Sequence, residues 1–300
     1  MKLICDSGST KSAWCLTDGT TPLHFTTQGI NPFQQNEEKI DEILHDELLP
    51  QLKDTNAKMG KTDCGCNSHG DIAPLIEEVH FYGAGCTAEK SPIVTKAIKS
   101  IIAPNATINV QSDMLGAAVA LCGNSEGIVC ILGTGSNSAY YDGTKLISCI
   151  PALGYILGDE GSGAYIGKRL VGDILKCQLS EQVRELFFDE TKETQASIIQ
   201  KTYREPMANR FLASLSPFCY RHRDIEEIEE FIKDCFRQFF ERNIIPTKNI
   251  LQLNDCTINC VGSIAHYYEK EIKEVAAEYH LRIGKILQAP IDGLVEQLCR

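Results

Sequence analysis

The chain lacks the features that would place it in a membrane or on a polyanion. None of its apolar runs approaches the roughly 20 residues that a membrane-spanning helix needs. Its start, Met1-Lys2 followed by strand-like residues, lacks the regions of a signal peptide. Basic residues are the minority, 29 Lys and Arg against 40 Asp and Glu, and no basic run offsets the net charge of -11. We therefore expect neither nucleic acid nor a membrane as a partner.

The composition is that of an ordinary globular protein. The 300 residues are 43% hydrophobic and 23% charged, and this length favours about two domains. The 14 cysteines are spread through apolar segments, as at Cys5 and Cys130, and do not form the framework of a small disulfide-rich protein. This usage predicts core thiols and a cytoplasmic location.

Two strand-turn-strand units carry turns of Gly, Ser and Thr. In "LICDSGSTKS", residues 3–5 and 13–16 read as paired strands around a turn from Asp6 to Ser12. Residues 128–132 and 139–141 flank a second such turn in "LGTGSNS". The backbone N–H groups of glycine turns can point together at an anion, and Lys11 adds a positive charge. Either turn alone is most often only a tight turn, but two in a duplicated arrangement indicate phosphate binding.

The known nucleotide-binding loops do not account for these turns. The sequence has no G-x-x-x-x-G-K-[ST] loop and no G-x-G-x-x-G that opens a helix. We therefore expect a nucleotide site of another design.

Five motifs in order resemble the N-acetylglucosamine kinase family of the sugar kinase and actin-like ATPase superfamily. They are "DSGSTKS" at 6–12, "SDMLGAA" at 112–118, "LGTGSNS" at 132–138, "GDEGSGAYIG" at 158–167 and "VGSIA" at 261–265. The resemblance implies an α/β fold of two ribonuclease H-like domains, with ATP and a sugar in the cleft between them. We place the N-terminal domain at 1–111, with a C-terminal helix at about 286–300 that packs back on it. The C-terminal domain, with a helical insertion, takes 112–285.

The resemblance also implies a role for individual residues. Asp113 is the catalytic base, and Asp6 lies in the metal and phosphate region, where it holds Mg²⁺ directly or through water. The sugar contacts are Asn31, Asp113, Gly154, Tyr155 and Asp159. The ATP contacts are Asp6, Gly8, Ser9, Thr10, Lys11, Gly133, Thr134, Gly135, Ser136, Gly262 and Ser263.

The residues themselves leave two readings open for both key carboxylates. Asp113 follows a strand at 107–110 and precedes a helix of small residues, so it suits a base that faces a cleft, but Ser112 or Asp113 would equally serve as a helix N-cap. Asp159 precedes the helical pattern from Ala164, where an acid can complement a helix N-terminus. It could also accept hydrogen bonds from sugar hydroxyls.

One departure from the family concerns the substrate. Family members that use amino sugars tend to carry Gly-Trp-Gly ahead of Gly-Asp-Glu-Gly, whereas this chain has Ala152-Leu153-Gly154 and then Tyr155. The expected reaction is ATP-dependent phosphorylation of a hydroxyl of N-acetylglucosamine or a related amino sugar or hexose, by a monomer or a homodimer.

Two other functions and one metal site are alternatives that the sequence allows. An ATPase that activates a radical acyl-CoA reductase or dehydratase has cysteines flanking the second phosphate loop, and "LGTGSNSAYYDG" has none. A sugar sensor without turnover is the third class. The segment 54–71 reads as an exposed loop, and its C-x-C-x-x-H cluster of Cys64, Cys66 and His69 has no second ligand pair at a zinc-site spacing.

Overall fold

A computed structural model describes residues 1–8, 10–59, 75–147 and 149–299, without the side chains of 55–59. Ser9 and the cysteine and histidine cluster at 64–69 lie outside the described residues. The chain forms two compact units, Met1–Gly123 with Pro290–Arg300, and Asn124–Ala289. In the described part of the chain, no helix has the length and apolar character to cross a membrane.

The first unit is a five-stranded mixed sheet covered by helices. Its strand order is β3-β2-β1-β4-β5, in which β1, β4 and β5 are parallel and β2 and β3 are antiparallel to their neighbours. Its elements are β1 Lys2–Ser7, β2 Lys11–Thr17, β3 Leu23–Gln28, α1 Glu37–Glu42, α2 Leu49–Met59, β4 Glu78–Gly83, α3 Ser91–Ile101, β5 Thr107–Ser112, α4 Asp113–Cys122 and α14 Ile291–Leu298.

The core of this unit follows from the apolar pattern of its strands. Trp14, the one tryptophan of the chain, is fully buried in β2. Its ring lies 5.7 Å from that of Phe81, and its Nε1 donates to Thr27 Oγ1 at 3.0 Å. Trp14 therefore belongs to the core of this unit. Most of the described cysteines are also buried.

The helix after β3 is longer than its apolar spacing indicates. The pattern predicts a helix from Glu37 to Leu52, and the structure continues from α1 through a π-helical segment, Ile43–Leu48, into α2. The prediction of a loop from residue 54 onward is wrong for 54–59, which form the last turns of α2. A polar composition does not prevent a helix from continuing once its preceding turns are packed.

The boundary between the two units lies after α4, at Gly123, whereas the sequence analysis places the domain boundary at residue 111. Helix α4 packs on β4, β5 and α14. A Cβ on Gly293 of α14 would come within 2.7 Å of the Ala120 carbonyl oxygen, so the two helices touch at their backbones. The Nζ of Lys2 donates to the Leu298 carbonyl oxygen at 2.9 Å, which attaches α14 to β1 as well.

The second unit contains a sheet with the same plan and many more helices. The order is β10-β9-β6-β7-β8, with β6, β9 and β10 parallel and β7 and β8 antiparallel to their neighbours. Its elements are β6 Gly127–Leu132, β7 Ser136–Tyr141, β8 Leu146–Ile147, α5 Gly154–Leu157, α6 Gly163–Leu175, α7 Glu181–Thr191, α8 Gln195–Tyr203, α9 Ala208–Arg221, α10 Glu226–Phe239, α11 Ile245–Leu251, β9 Thr257–Val261, α12 Ser263–Tyr267, α13 Glu269–Glu278 and β10 Arg282–Leu287.

The sequence patterns do not predict two of the strands, β3 and β10, and both lie at sheet edges. Strands β3 and β10 keep several side chains exposed, and β10 contains Lys285 and Gly284 between its apolar residues. Edge strands do not need the continuous apolar runs of central ones. Residues 286–287, placed in the C-terminal helix by the sequence division, belong to β10, and the helix begins at Ile291.

Candidate functional site

The site in the first unit forms where three parallel strands end side by side. Ser7 at the end of β1 pairs with Gly83 at the end of β4, which pairs with Ser112 at the end of β5. Asp6 therefore stands one residue before this edge and Asp113 one residue after it. The carboxyl ends of parallel strands are where α/β folds bind ligands.

The two carboxylates are close enough for their charges to interact. Burial raises the pKa of Asp6 to about 7, and the neighbouring Asp113 contributes to the shift. Burial also raises the pKa of Asp113, and the N–H of Met114, which donates to Asp113 Oδ1 at 2.8 Å, opposes that shift. Ser112, whose Oγ accepts from the N–H of Leu115, is the N-cap of α4. The Asp113 carboxylate is thus available for another role.

The first glycine turn is anchored from below by two buried hydroxyls. The Oγ atoms of Ser7 and Ser12 lie 2.7 Å apart, and Ser7 Oγ also donates to the Ile30 carbonyl oxygen at 2.9 Å. The turn itself is closed by the N–H of Gly8, which donates to the Lys11 carbonyl oxygen at 3.0 Å, and it leaves Thr10 and Lys11 exposed. An exposed, positively charged turn on a rigid base suits an anion.

Asn31 is held beside this turn in a tight loop. Its N–H donates to Gln35 Oε1 at 2.8 Å, and its Oδ1 accepts from the N–H of Phe33 at 3.0 Å. The loop after β4 lies against it, since a Cβ on Gly85 would come within 2.1 Å of Asn31 Oδ1. This loop also carries Cys86, whose pKa is raised to about 12 by burial and by Asp113, so the thiol stays neutral.

The second glycine turn is fixed on the start of α6. The N–H of Gly133 donates to the Gly135 carbonyl oxygen at 2.9 Å. The carbonyl oxygens of Gly133 and Thr134 accept from the N–H groups of Gly163 and Ala164 at 2.8 and 3.0 Å. These N–H groups are therefore satisfied by the turn. The first two N–H groups of α6 are therefore not available to an anion.

Asp159 stands next to this turn in an unusual backbone conformation. Its φ is 57°, a left-handed value that non-glycine residues rarely adopt and that often occurs at functional sites. Burial raises the pKa of its carboxyl, and the backbone N–H of Ser136, which donates to the carboxylate, lowers it. A Cβ on Gly135 would lie 2.8 Å from Asp159 Oδ2, so any other residue there would displace the carboxylate from this position.

A cavity of about 260 Å³ opens at Asp159 within the second unit. Arg242 and Asn243 on its wall belong to a π-helical segment, Phe240–Ile244, and Asn243 Nδ2 donates to Glu160 Oε2 at 3.4 Å. Sequence patterns missed this pair, because no spacing marks a π-helical turn inside a helix. The wall comprises Ser136, Ile150, Pro151, Ala152, Leu153, Leu157, Gly158, Asp159, Glu160, Arg242 and Asn243.

The other predicted sugar contacts lie just before Asp159. Gly154 has a φ of 72° and opens the exposed helix α5. Tyr155 packs against the core of the unit, and its carbonyl oxygen accepts from Lys168 Nζ at 2.7 Å. Leu153 and Leu157 face the cavity. These leucines form the apolar wall near Asp159 together with Ile150, Pro151 and Ala152.

Gly262 and Ser263, predicted to border the adenosine, follow β9. Gly262 has a φ of 124°, and a Cβ there would lie 2.2 Å from the Leu132 carbonyl oxygen. The end of β9 thus contacts the residue before the second glycine turn. Ser263 is exposed at the start of α12.

The carboxylates of the first unit suit Mg²⁺. No group of three or more metal-ligating side chains occurs among the described residues. Mg²⁺ at nucleotide sites is typically held by one or two carboxylates together with phosphate and water oxygens. Asp6, half-buried close to Asp113, is an oxygen donor of this kind.

Comparison with solved structures gives the fold and the family. A scan against protein-family models and a search of the curated proteins found no match. The chain is 42% identical to a protein from Porphyromonas gingivalis named "putative N-acetylglucosamine kinase", over 100% of this chain and 99% of that one, with a TM-score of 0.88. A protein of the same name from Chromobacterium violaceum is 17% identical over 99% and 98% of the two chains, with a TM-score of 0.73.

A more distant structure has the same fold. The ROK family glucokinase from Streptomyces griseus, in complex with glucose and AMPPNP, is 12% identical over 98% of this chain and 97% of that one, with a TM-score of 0.50. The expected α/β architecture of two ribonuclease H-like, actin-like ATPase domains is confirmed by these structures and by the two five-stranded mixed sheets. The chain belongs to the N-acetylglucosamine kinase family of the sugar kinase and actin-like ATPase superfamily.

Proposed function

We propose that the protein is an ATP-dependent kinase that phosphorylates a hydroxyl of N-acetylglucosamine or a related amino sugar or hexose. The observation that carries the proposal is the pair Asp6 and Asp113 at the ends of parallel strands, in a chain of this family. Phosphoryl transfer needs positioned phosphates, a metal and an acceptor for the hydroxyl proton.

Asp113 is the proton acceptor in this proposal. The sugar oxygen forms a bond to the γ-phosphorus, the bond from that phosphorus to the β,γ-bridging oxygen breaks, and the hydroxyl proton passes to the Asp113 carboxylate. Burial raises the pKa of this carboxyl and so makes it a stronger base. The hydrogen bond from the Met114 N–H holds the carboxylate in one orientation.

The glycine turns bind the phosphates of ATP. In the first turn the contacts are Gly8, Thr10 and Lys11, together with Ser9. In the second they are Gly133, Thr134, Gly135 and Ser136, and Gly262 with Ser263 borders the adenosine. Asp6 would hold Mg²⁺, which neutralises charge on the phosphates when it is bound.

The sugar is bound by Asn31, Asp113, Gly154, Tyr155 and Asp159. The cavity beside Asp159 pairs this carboxylate with an apolar wall, as a sugar with hydroxyls and apolar ring faces requires. A cytoplasmic location is part of the proposal, because the proposed reaction needs ATP as a substrate.

The test is ADP release with Mg-ATP across N-acetylglucosamine, glucosamine, N-acetylmannosamine, glucose and N-acetylmuramic acid. We expect release that depends on one of these sugars and that falls about 10²–10⁴-fold in kcat in Asp113→Asn, the usual contribution of a positioned base. ATP hydrolysis that is indifferent to every sugar would contradict the kinase and favour an activator ATPase or a sensor. Sugar-dependent release that survives in Asp113→Asn would remove Asp113 as the base.

A further inference from the structure

We propose that Gly85 is a positioning residue of the sugar site, which acts by leaving room for the side chain of Asn31. The inference rests on the proposed function, because Asn31 is a sugar contact only if the protein binds a sugar. Nothing in the sequence pattern assigns a role to Gly85, which reads as part of a turn in "GAG".

The geometry leaves no space for any other residue at this position. A Cβ on Gly85 would lie 2.1 Å from Asn31 Oδ1, 3.0 Å from Asn31 Cγ and 2.9 Å from Phe33 Cβ. Real Cβ atoms do not approach other heavy atoms so closely, so the Asn31 carboxamide would have to move. The φ of Gly85 is 76°, a region that favours glycine for a second reason.

Asn31 has little freedom to move without losing its present contacts. Its side chain is buried, and its Oδ1 accepts from the N–H of Phe33 at 3.0 Å. Its N–H is held by Gln35 Oε1, and its carbonyl oxygen accepts from the N–H groups of Gln34 and Gln35. The backbone is therefore pinned, and a clash at Gly85 must be relieved by rotating the carboxamide that would contact the sugar.

The loop after β4 lies between the proposed sugar contact, Asn31, and the proposed proton acceptor, Asp113. Gly85 lies two residues beyond Gly83, which pairs with Ser112 next to the proposed base. Its neighbour Cys86 lies close enough to Asp113 for the carboxylate charge to raise the pKa of the thiol. A glycine here sets the position of the sugar-binding amide relative to the carboxylate that takes the proton.

The experiment compares Gly85→Ala with Gly19→Ala. Gly19 lies in the turn between β2 and β3 with a φ of 97°, and a Cβ there would meet nothing within 4 Å. Gly19→Ala therefore carries the same kind of backbone strain without the contact. We expect Gly85→Ala to raise the KM for the preferred sugar at least tenfold, with the KM for ATP within twofold of wild type, while Gly19→Ala leaves both unchanged.

A double-mutant cycle with Asn31→Ala separates positioning from a general loss of structure. If Gly85 acts through Asn31, Gly85→Ala should add less than a twofold increase in sugar KM once the Asn31 carboxamide is absent. Equal sugar KM values in Gly85→Ala and Gly19→Ala, or full additivity with Asn31→Ala, would overturn the inference while the kinase stands. Wild-type protein without sugar-dependent ADP release would instead overturn the proposed function and this inference with it.

Discussion

Replacing Asp6 by asparagine should stabilise the protein at neutral and alkaline pH while it removes the proposed activity. Burial, and then the charge of Asp113, raises the pKa of Asp6 from 3.8 to about 7. Because the folded-state pKa lies above the unfolded value, the protonated carboxyl stabilises the fold. This contribution is complete below about pH 4 and is lost as the pH rises through about 7.

The size of the effect follows from the shift. Each pKa unit corresponds to about 1.4 kcal/mol, so a shift from 3.8 to about 7 sets an upper value of about 4 kcal/mol. Asp6 is partly exposed, and water near the charged form reduces this figure, so we expect about 1–3 kcal/mol. At about 2–4 °C per kcal/mol for a domain of this size, Asp6→Asn should raise Tm by roughly 2–12 °C at pH 8.

The assay is thermal unfolding of wild type and Asp6→Asn between pH 4 and pH 8.5, without Mg²⁺ or nucleotide. The gain should be near zero at pH 4 and grow steadily toward pH 8, since asparagine mimics only the protonated carboxyl. Asp18→Asn is the control, and it should lower Tm at pH 8 where Asp6→Asn raises it. Hydrogen bonds from the Thr20 backbone and side chain lower the pKa of Asp18 to about 2, so its charged form stabilises the fold. A Tm for Asp6→Asn that is unchanged or lower at pH 8, or a gain that does not vary with pH, would refute the reasoning.

Further predictions concern glycines whose replacement the structure makes informative. Gly135→Ala should lower kcat/KM for the sugar at least tenfold, because the new Cβ would lie 2.8 Å from Asp159 Oδ2. Steady-state kinetics against the wild type measure this loss, and an unchanged kcat/KM would contradict a role for the contact. Gly167→Ala should destabilise the second unit by roughly 3 kcal/mol in urea unfolding, because its Cβ would lie 1.9 Å from the Leu212 carbonyl oxygen where α6 meets α9. Gly172→Ala, on the same helix with open space around it, should instead stabilise by about 0.5–1 kcal/mol, and a loss of stability there would contradict the helix-propensity argument.

The sequence predicts the parts of the fold that depend on local pattern. Strand β1 and its return strand β2 are visible as apolar runs around a glycine turn, and α3 begins at the Ser91-Pro92 pair, as the sequence predicts. Edge strand β3 was missed because an edge position does not impose a continuous apolar run. The motifs also lead to Asp6 and Asp113, whose convergence requires only that β1 and β5 end at the same edge.

The parts of the site that the sequence does not reveal depend on contacts between distant segments. Arg242 and Asn243, which form part of the cavity wall, lie in a π-helical segment far along the chain. Asn243 is 83 residues from Glu160, to which it donates a hydrogen bond. The need for glycine at Gly85 becomes visible only when Asn31 is placed against it. A glycine that is needed for a turn cannot be told apart in a sequence from a glycine that leaves room for a neighbouring side chain.

The two sheets share one strand order, and a glycine follows the equivalent strand in each. Strands β4 and β9 hold equivalent places in the two sheets, next to the first strand of each hairpin, and each is followed by a glycine with positive φ. In the first unit that glycine, Gly85, makes room for Asn31, a proposed sugar contact. In the second unit Gly262 makes room for the carbonyl oxygen of Leu132, which precedes a proposed phosphate turn. The two close approaches therefore occur after equivalent strands, but the group accommodated differs: a side chain in the first unit and a backbone carbonyl oxygen in the second.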